Sequence, residues 1–121
     1  MKMNYIGEIM DLYNELQEKI EELNKSIEDL KTKGIEYNNA EYNYKVKLRI
    51  EALKLKYDEN MPVTLINQII FGVPEVAELR KARDIAETMY ETAKEKTNTL
   101  KLQVRILDAQ LQREYNNKYG I

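Results

Sequence analysis

The 121-residue chain carries 19 basic and 21 acidic residues, no histidine and no cysteine, for a formal net charge of −2. That length holds one domain with a modest core, and the near balance of charge excludes a global field able to hold a nucleic acid or an anionic membrane. The lack of cysteine removes disulfides, thiolate zinc sites and cysteine nucleophiles together, as suits a small protein of a reducing compartment.

With only four Gly and two Pro, 33% charged and 43% hydrophobic residues, the composition is that of long helices, which need few turn-formers and many exposed Glu and Lys. Charge does not segregate usefully along the chain: residues 1–34 carry five bases and eight acids, 35–59 five and five, 74–121 nine and eight. The opening stretch from Met1 to Glu8 offers no apolar core of signal-peptide length, and the most apolar run, Val63 to Val73, is interrupted by Asn67 and Gln68. The expectation is a soluble cytoplasmic protein with no membrane role.

In chain order, Ile9, Tyr13, Leu16, Ile20, Leu23, Ile27 and Leu30 recur at alternating spacings of four and three. This is a heptad seam, and it predicts a first helix over about 4–33 that coils with one or two partners. Lys31 and Lys33 suit the negative end of that helix, and Gly34 can take the left-handed conformation that stops it. A second helix is expected over about 36–59. Tyr42, Tyr44, Val46, Leu48 and Ile50 alternate with polar residues as a strand would, but the segment is too long for a strand and rich in helix formers. Its apolar residues spread around the circumference, so it should be contacted on more than one side, as a central helix is.

Asn60-Met61-Pro62 breaks the chain, since proline lacks the amide that would continue a helix. A short helix is expected over 62–71, and Gly72-Val73-Pro74 breaks the chain again before a long helix over 74–118, with Pro74 in its first turn and Glu75 and Glu78 at its positive end. The long helix has a seam of its own: Leu79, Ala86, Ala93, Leu100 and Leu107 repeat every seventh residue, and Arg83, Tyr90, Thr97, Val104 and Leu111 lie between them. The whole, residues 1–121, reads as a single all-α domain, an antiparallel helical bundle or coiled coil with one long C-terminal helix.

Helix lengths add an expectation about assembly. At the helical rise the long helix spans roughly 65 Å against about 45 and 36 Å for the two before it. It should therefore outrun the bundle, leaving Val104, Leu107, Leu111 and Tyr115 partly uncovered as the contact of a homo-oligomer, most simply a dimer.

The segments Pro62-Val63-Thr64-Leu65-Ile66-Asn67, Leu79-Arg80, Arg83 to Tyr90 and Gln112-Arg113-Glu114-Tyr115 resemble a group of small uncharacterised helical proteins encoded by phages and prophages of Gram-positive bacteria, over roughly residues 40–118. Those relatives often carry Glu-Trp where this chain has Glu114-Tyr115. The resemblance implies a virus-encoded accessory protein of the early gene region, near replication and recombination functions, working in the host cytoplasm. It brings no catalytic motif.

The residues themselves point away from catalysis. There is no histidine or cysteine, and the one serine, Ser26, sits by its spacing on the polar side of the first helix, which leaves no nucleophile-and-base arrangement. Glu87 with Glu91 is the kind of carboxylate pair that glutamate-rich helices produce by chance, so no metal is expected. The glycines Gly7, Gly34, Gly72 and Gly120 are isolated and form no phosphate loop. The expectation is a non-enzymatic protein without cofactors, acting as a phage accessory or anti-defence protein that binds a host or phage protein through a helical oligomer.

Two alternatives stay open. In the long helix's seam, Arg83, Tyr90 and Thr97 lie seven apart between the small residues Ala86 and Ala93, and Tyr37 and Tyr44 of the preceding helix are also seven apart. Together these could form a pocket for a small anionic ligand such as a nucleotide-type immune signal, with arginine forking phosphate and tyrosine stacking. The plainer account pairs Arg83 with Glu87 and Arg80 with Asp84, and leaves Tyr90 filling core. The other alternative is a single-stranded nucleic-acid accessory protein using the tyrosines with Lys45, Lys47, Arg49, Lys54 and Lys56. The overall charge disfavours it.

Overall fold

A computed structural model describes residues 2–119, with side chains from Ile6 onward; Met1 and the isolated Gly120 lie outside the described residues. Helix α1 spans Lys2–Tyr57, α2 Val63–Ile69 and α3 Pro74–Tyr119, with a 3-10 turn at Ile70–Gly72 between the last two. No strand forms among the described residues, and the long C-terminal helix packs on the first.

The expected helices over 4–33 and 36–59 are one helix. Gly34 does not terminate it, because no proline follows, the core spacing carries on through Leu30 and Tyr37, and the missing side chain serves a different purpose. A Cβ at Gly34 would lie 3.2 Å from Cε2 of Tyr90, so glycine makes room for that ring. The actual stop is Asn60, whose backbone is left-handed (φ 52°), with the Met61 amide donating back to the Leu55 carbonyl at 3.1 Å.

The strand-like alternation over 42–50 also finds its explanation. Two residues of helix turn through roughly 200°, so alternate residues fall on opposite faces. Tyr44 is buried and Leu48 half-buried, whereas Tyr42, Val46 and Ile50 are exposed. The pattern is that of a helix with two apolar faces.

The contacts form two compact units, Met1–Leu30 with Ala93–Ile121, and Lys31–Thr92. Within the first, α1 and α3 are antiparallel: Ser26 meets Thr97, while Asp11 and Glu15 share a groove with Gln110 and Glu114. Leu16, Ala93, Leu100 and Leu107 are its buried apolar residues. Within the second unit Tyr37 meets Tyr90 and Tyr44 meets Arg83, again antiparallel. There Ile66 of α2 and Ile70 are buried along with Val76, which has no exposed surface. The amides of Leu65 and Ile66 donate to the Pro62 carbonyl, so proline opens α2 without a side-chain cap.

The seam expected for α3 holds along its whole length: from Leu79 to Leu111 all ten of its positions are buried or half-buried. In α1 five of the seven expected seam residues are covered: Leu16 is buried and Ile9, Ile20, Leu23 and Leu30 are half-buried, with Leu12, Lys19 and Ser26 completing the covered side. Tyr13 and Ile27 lie beside the seam, exposed.

Candidate functional site

Four of the five residues expected to line a ligand pocket converge in the second unit. The Tyr37 and Tyr90 rings stack with centroids 6.0 Å apart and planes at 24°, and the Arg83 guanidinium lies 4.6 Å from the centroid of the buried Tyr44 ring. The arrangement follows from the heptad period: antiparallel helices repeating every seven residues set 37 against 90 and 44 against 83 in successive layers. Thr97 does not join them. It lies in the other unit, almost fully buried, 2.7 Å from the Ser26 hydroxyl.

The converging side chains close on one another. Arg83 gives two hydrogen bonds to Oδ1 of its neighbour Asp84, at 3.0 Å from Nε and 2.8 Å from its terminal nitrogen, so the fork is already engaged. The bond to Asp84 holds the guanidinium pKa above its ordinary value. Burial, and then the Glu41 carboxylate, push the Tyr37 hydroxyl above its ordinary pKa. The expected pairings differ in detail: Arg83 bonds Asp84 rather than Glu87, and Arg80 rests over the Phe71 ring at 4.9 Å rather than pairing with Asp84. The cluster has the make-up of a polar core layer, with cation–π and ring contacts standing in for aliphatic packing.

Ser26 is buried against α3 and is not on the polar side of its helix. Thr97 donates to the Ala93 carbonyl at 2.9 Å, which commits its proton and makes Ser26 the donor to Thr97. The heptad placing Ile9, Leu16 and Leu23 on one line also puts position 26 inside; that spacing was the available signal, and the apolar Ile27 next door obscured it.

The oligomer contact expected on α3 loses its geometric premise, because the uninterrupted first half of α1 covers the second half of α3. Leu107 is only 9% exposed within the single chain, Val104 and Leu111 are half-buried, and Tyr115 alone of the four is open. The lysines of 45–56 are largely engaged along their own helix: Lys47 and Lys54 both reach Glu51, at 3.0 and 3.4 Å, and Lys45 reaches Glu41 at 3.4 Å. The Lys47 hydrogen bond is the main reason the Glu51 carboxyl sits below its usual pKa.

The surface that sequence reasoning located only in outline is the outer side of α1 in the second unit. Opposite Tyr37 and Tyr44 it presents Tyr42, Val46, Ile50, Leu53 and Tyr57, with Tyr42 and Tyr57 68% and 67% exposed. Among them stand Lys45, Arg49, Lys54 and Lys56, while Glu51, the one acid of 42–57, turns inward. Among the described residues no three potential metal ligands cluster, and no helix is long and apolar enough to cross a membrane. Comparison with models of known protein families, with curated proteins and with solved structures gives no match.

Proposed function

We propose that the chain is a phage-encoded, non-enzymatic accessory protein that works by binding, and that its binding surface is the outer face of α1 over residues 42–57. One observation carries this reading: an apolar row on the side of α1 away from α3, bordered by the exposed cations Arg49 and Lys56, with Lys45 and Lys54 beside them paired to Glu41 and Glu51. An unpartnered amphipathic helix face is a usual means of docking on another helix or groove. The charge selects the partner, an acidic amphipathic segment of a host or phage protein. The phage origin rests on the sequence resemblance.

The test is a photo-crosslinking amino acid at position 46 in infected host cells, with and without Arg49→Glu and Lys56→Glu. The expected product is one protein adduct mapping to an acidic, apolar segment and lost on charge reversal. Adducts to nucleic acid, or adducts insensitive to charge reversal, would overturn the reading. An adduct to single-stranded nucleic acid would instead favour Tyr42 and Tyr57 as stacking platforms. A nucleotide pocket at Arg83 draws no support from the geometry, since the guanidinium is bound to Asp84 and covers Tyr44.

A further inference from the structure

In the first unit α1 carries a second, complete heptad stripe that α3 leaves open. Met10, Tyr13, Gln17, Ile20, Asn24 and Ile27 follow one another at spacings of three and four, beside the line of Ile9, Leu16 and Leu23 that faces α3. Met10, Tyr13 and Ile27 are 53%, 48% and 42% exposed, and Ile20 is half-buried. None of the six is charged, although residues 1–34 hold thirteen charges in all, eight acids and five bases. A stripe of this period is built for one more helix. Its neutrality gives no purchase to an anionic or cationic ligand.

We infer that this stripe pairs with the same stripe of a second copy, antiparallel, about a two-fold axis between positions 18 and 19. In that register every layer sets one stripe residue on another: Met10 on Ile27, Tyr13 on Asn24, Gln17 on Ile20, then the same three in reverse. The pairing is self-complementary, as a two-fold interface requires. It brings Glu21 of one copy near Asn14 of the other and Glu28 near Gly7, so no like charges oppose. Shape agrees with charge at the ends: Met10 and Tyr13, with Ile9, Leu111 and Tyr115, line an open groove of about 310 Å³, where Ile27 of the second copy comes to rest. A slip of one heptad in either direction leaves four such layers instead of six, so the full overlap of the two stripes selects this register.

The cysteine-free chain makes the test clean. Gln17→Cys, close to the axis, should be joined into a covalent dimer by a short bis-maleimide. Met10→Cys should not, because its symmetry mate lies about 25 Å along the helix. Tyr13→Glu with Ile27→Glu should sediment as one chain while the unmodified protein sediments as two, at unchanged helical circular dichroism. A monomeric unmodified protein, efficient cross-linking at position 10, or a double variant that stays dimeric would each overturn the inference. If the double variant loses helix, the contrast between positions 17 and 10 still decides. All these readouts are independent of any partner at residues 42–57.

Discussion

The two units use one heptad frame with different chemistry. In the first the α3 seam presents Thr97, Leu100, Val104, Leu107 and Leu111, an aliphatic row with one buried hydroxyl chain; in the second it presents Val76, Leu79, Arg83, Ala86 and Tyr90, where rings and a guanidinium occupy the layers. Period fixes where a helix faces its neighbour, and side-chain chemistry then decides how costly each layer is to disturb. Aliphatic layers lose contact area outright when truncated. The polar layers keep some of theirs through solvent and local partners.

The sharpest way to break the contrast is Leu100→Ala, which should cost about 2–5 kcal/mol in chemical denaturation, since its cavity lies in an aliphatic layer. Thr97→Val should cost about 1–3 kcal/mol by stranding the buried Ser26 donor, and adding Ser26→Ala should recover most of that loss. Full additivity of the two would show that the hydroxyls do not interact. In the second unit Arg83→Ala should cost only about 1 kcal/mol, the scale of a partly exposed cation–π contact.

Smaller still is the coupling at Gly34. Gly34→Ala gains helix propensity, worth about 0.5–1 kcal/mol, and meets the Tyr90 ring. It should therefore stabilise a Tyr90→Leu background more than the unmodified protein in a double-mutant cycle, and equal effects would show that the ring moves aside freely. The least effect belongs to Glu51. Its folded pKa is depressed, so its contribution is present above the ordinary carboxylate range and is lost as pH falls through the folded value. The thermal midpoints of the unmodified protein and Glu51→Gln should accordingly converge on acidification.

Much of this was legible beforehand. The all-α class, the breaks at Asn60-Met61-Pro62 and Gly72-Val73-Pro74, and the α3 seam follow from local rules that tertiary contacts reinforce. The meeting of Arg83, Tyr90, Tyr37 and Tyr44 was legible too, because a seven-residue period on both helices leaves few other pairings. Gly34 misled because a glycine that ends a helix and one that admits a neighbouring ring look alike until the ring is known. Tyr13 and Ile27 misled because a stripe wider than one seam fits two adjacent faces equally, and apolarity alone does not choose between them. Asp84 as the arginine's partner was hidden because adjacent residues on a helix point apart, whereas the long Arg83 side chain both lies over Tyr44 and reaches that carboxylate.

The first unit is assembled from the beginning and the end of the chain, whereas the second is a continuous stretch. On a ribosome the second unit can close once residue 92 has emerged, while residues 6–30 wait for the segment after Ala93. Closing the Ser26–Thr97 contact spans 71 residues against 53 for Tyr37–Tyr90, a difference in loop entropy too small to order the two steps, so the order is that of emergence from the ribosome. During that interval both heptad stripes of α1 stand open on the nascent chain. The pairing inferred above for the outer stripe would then have its surface exposed before α3 arrives to cover the inner one.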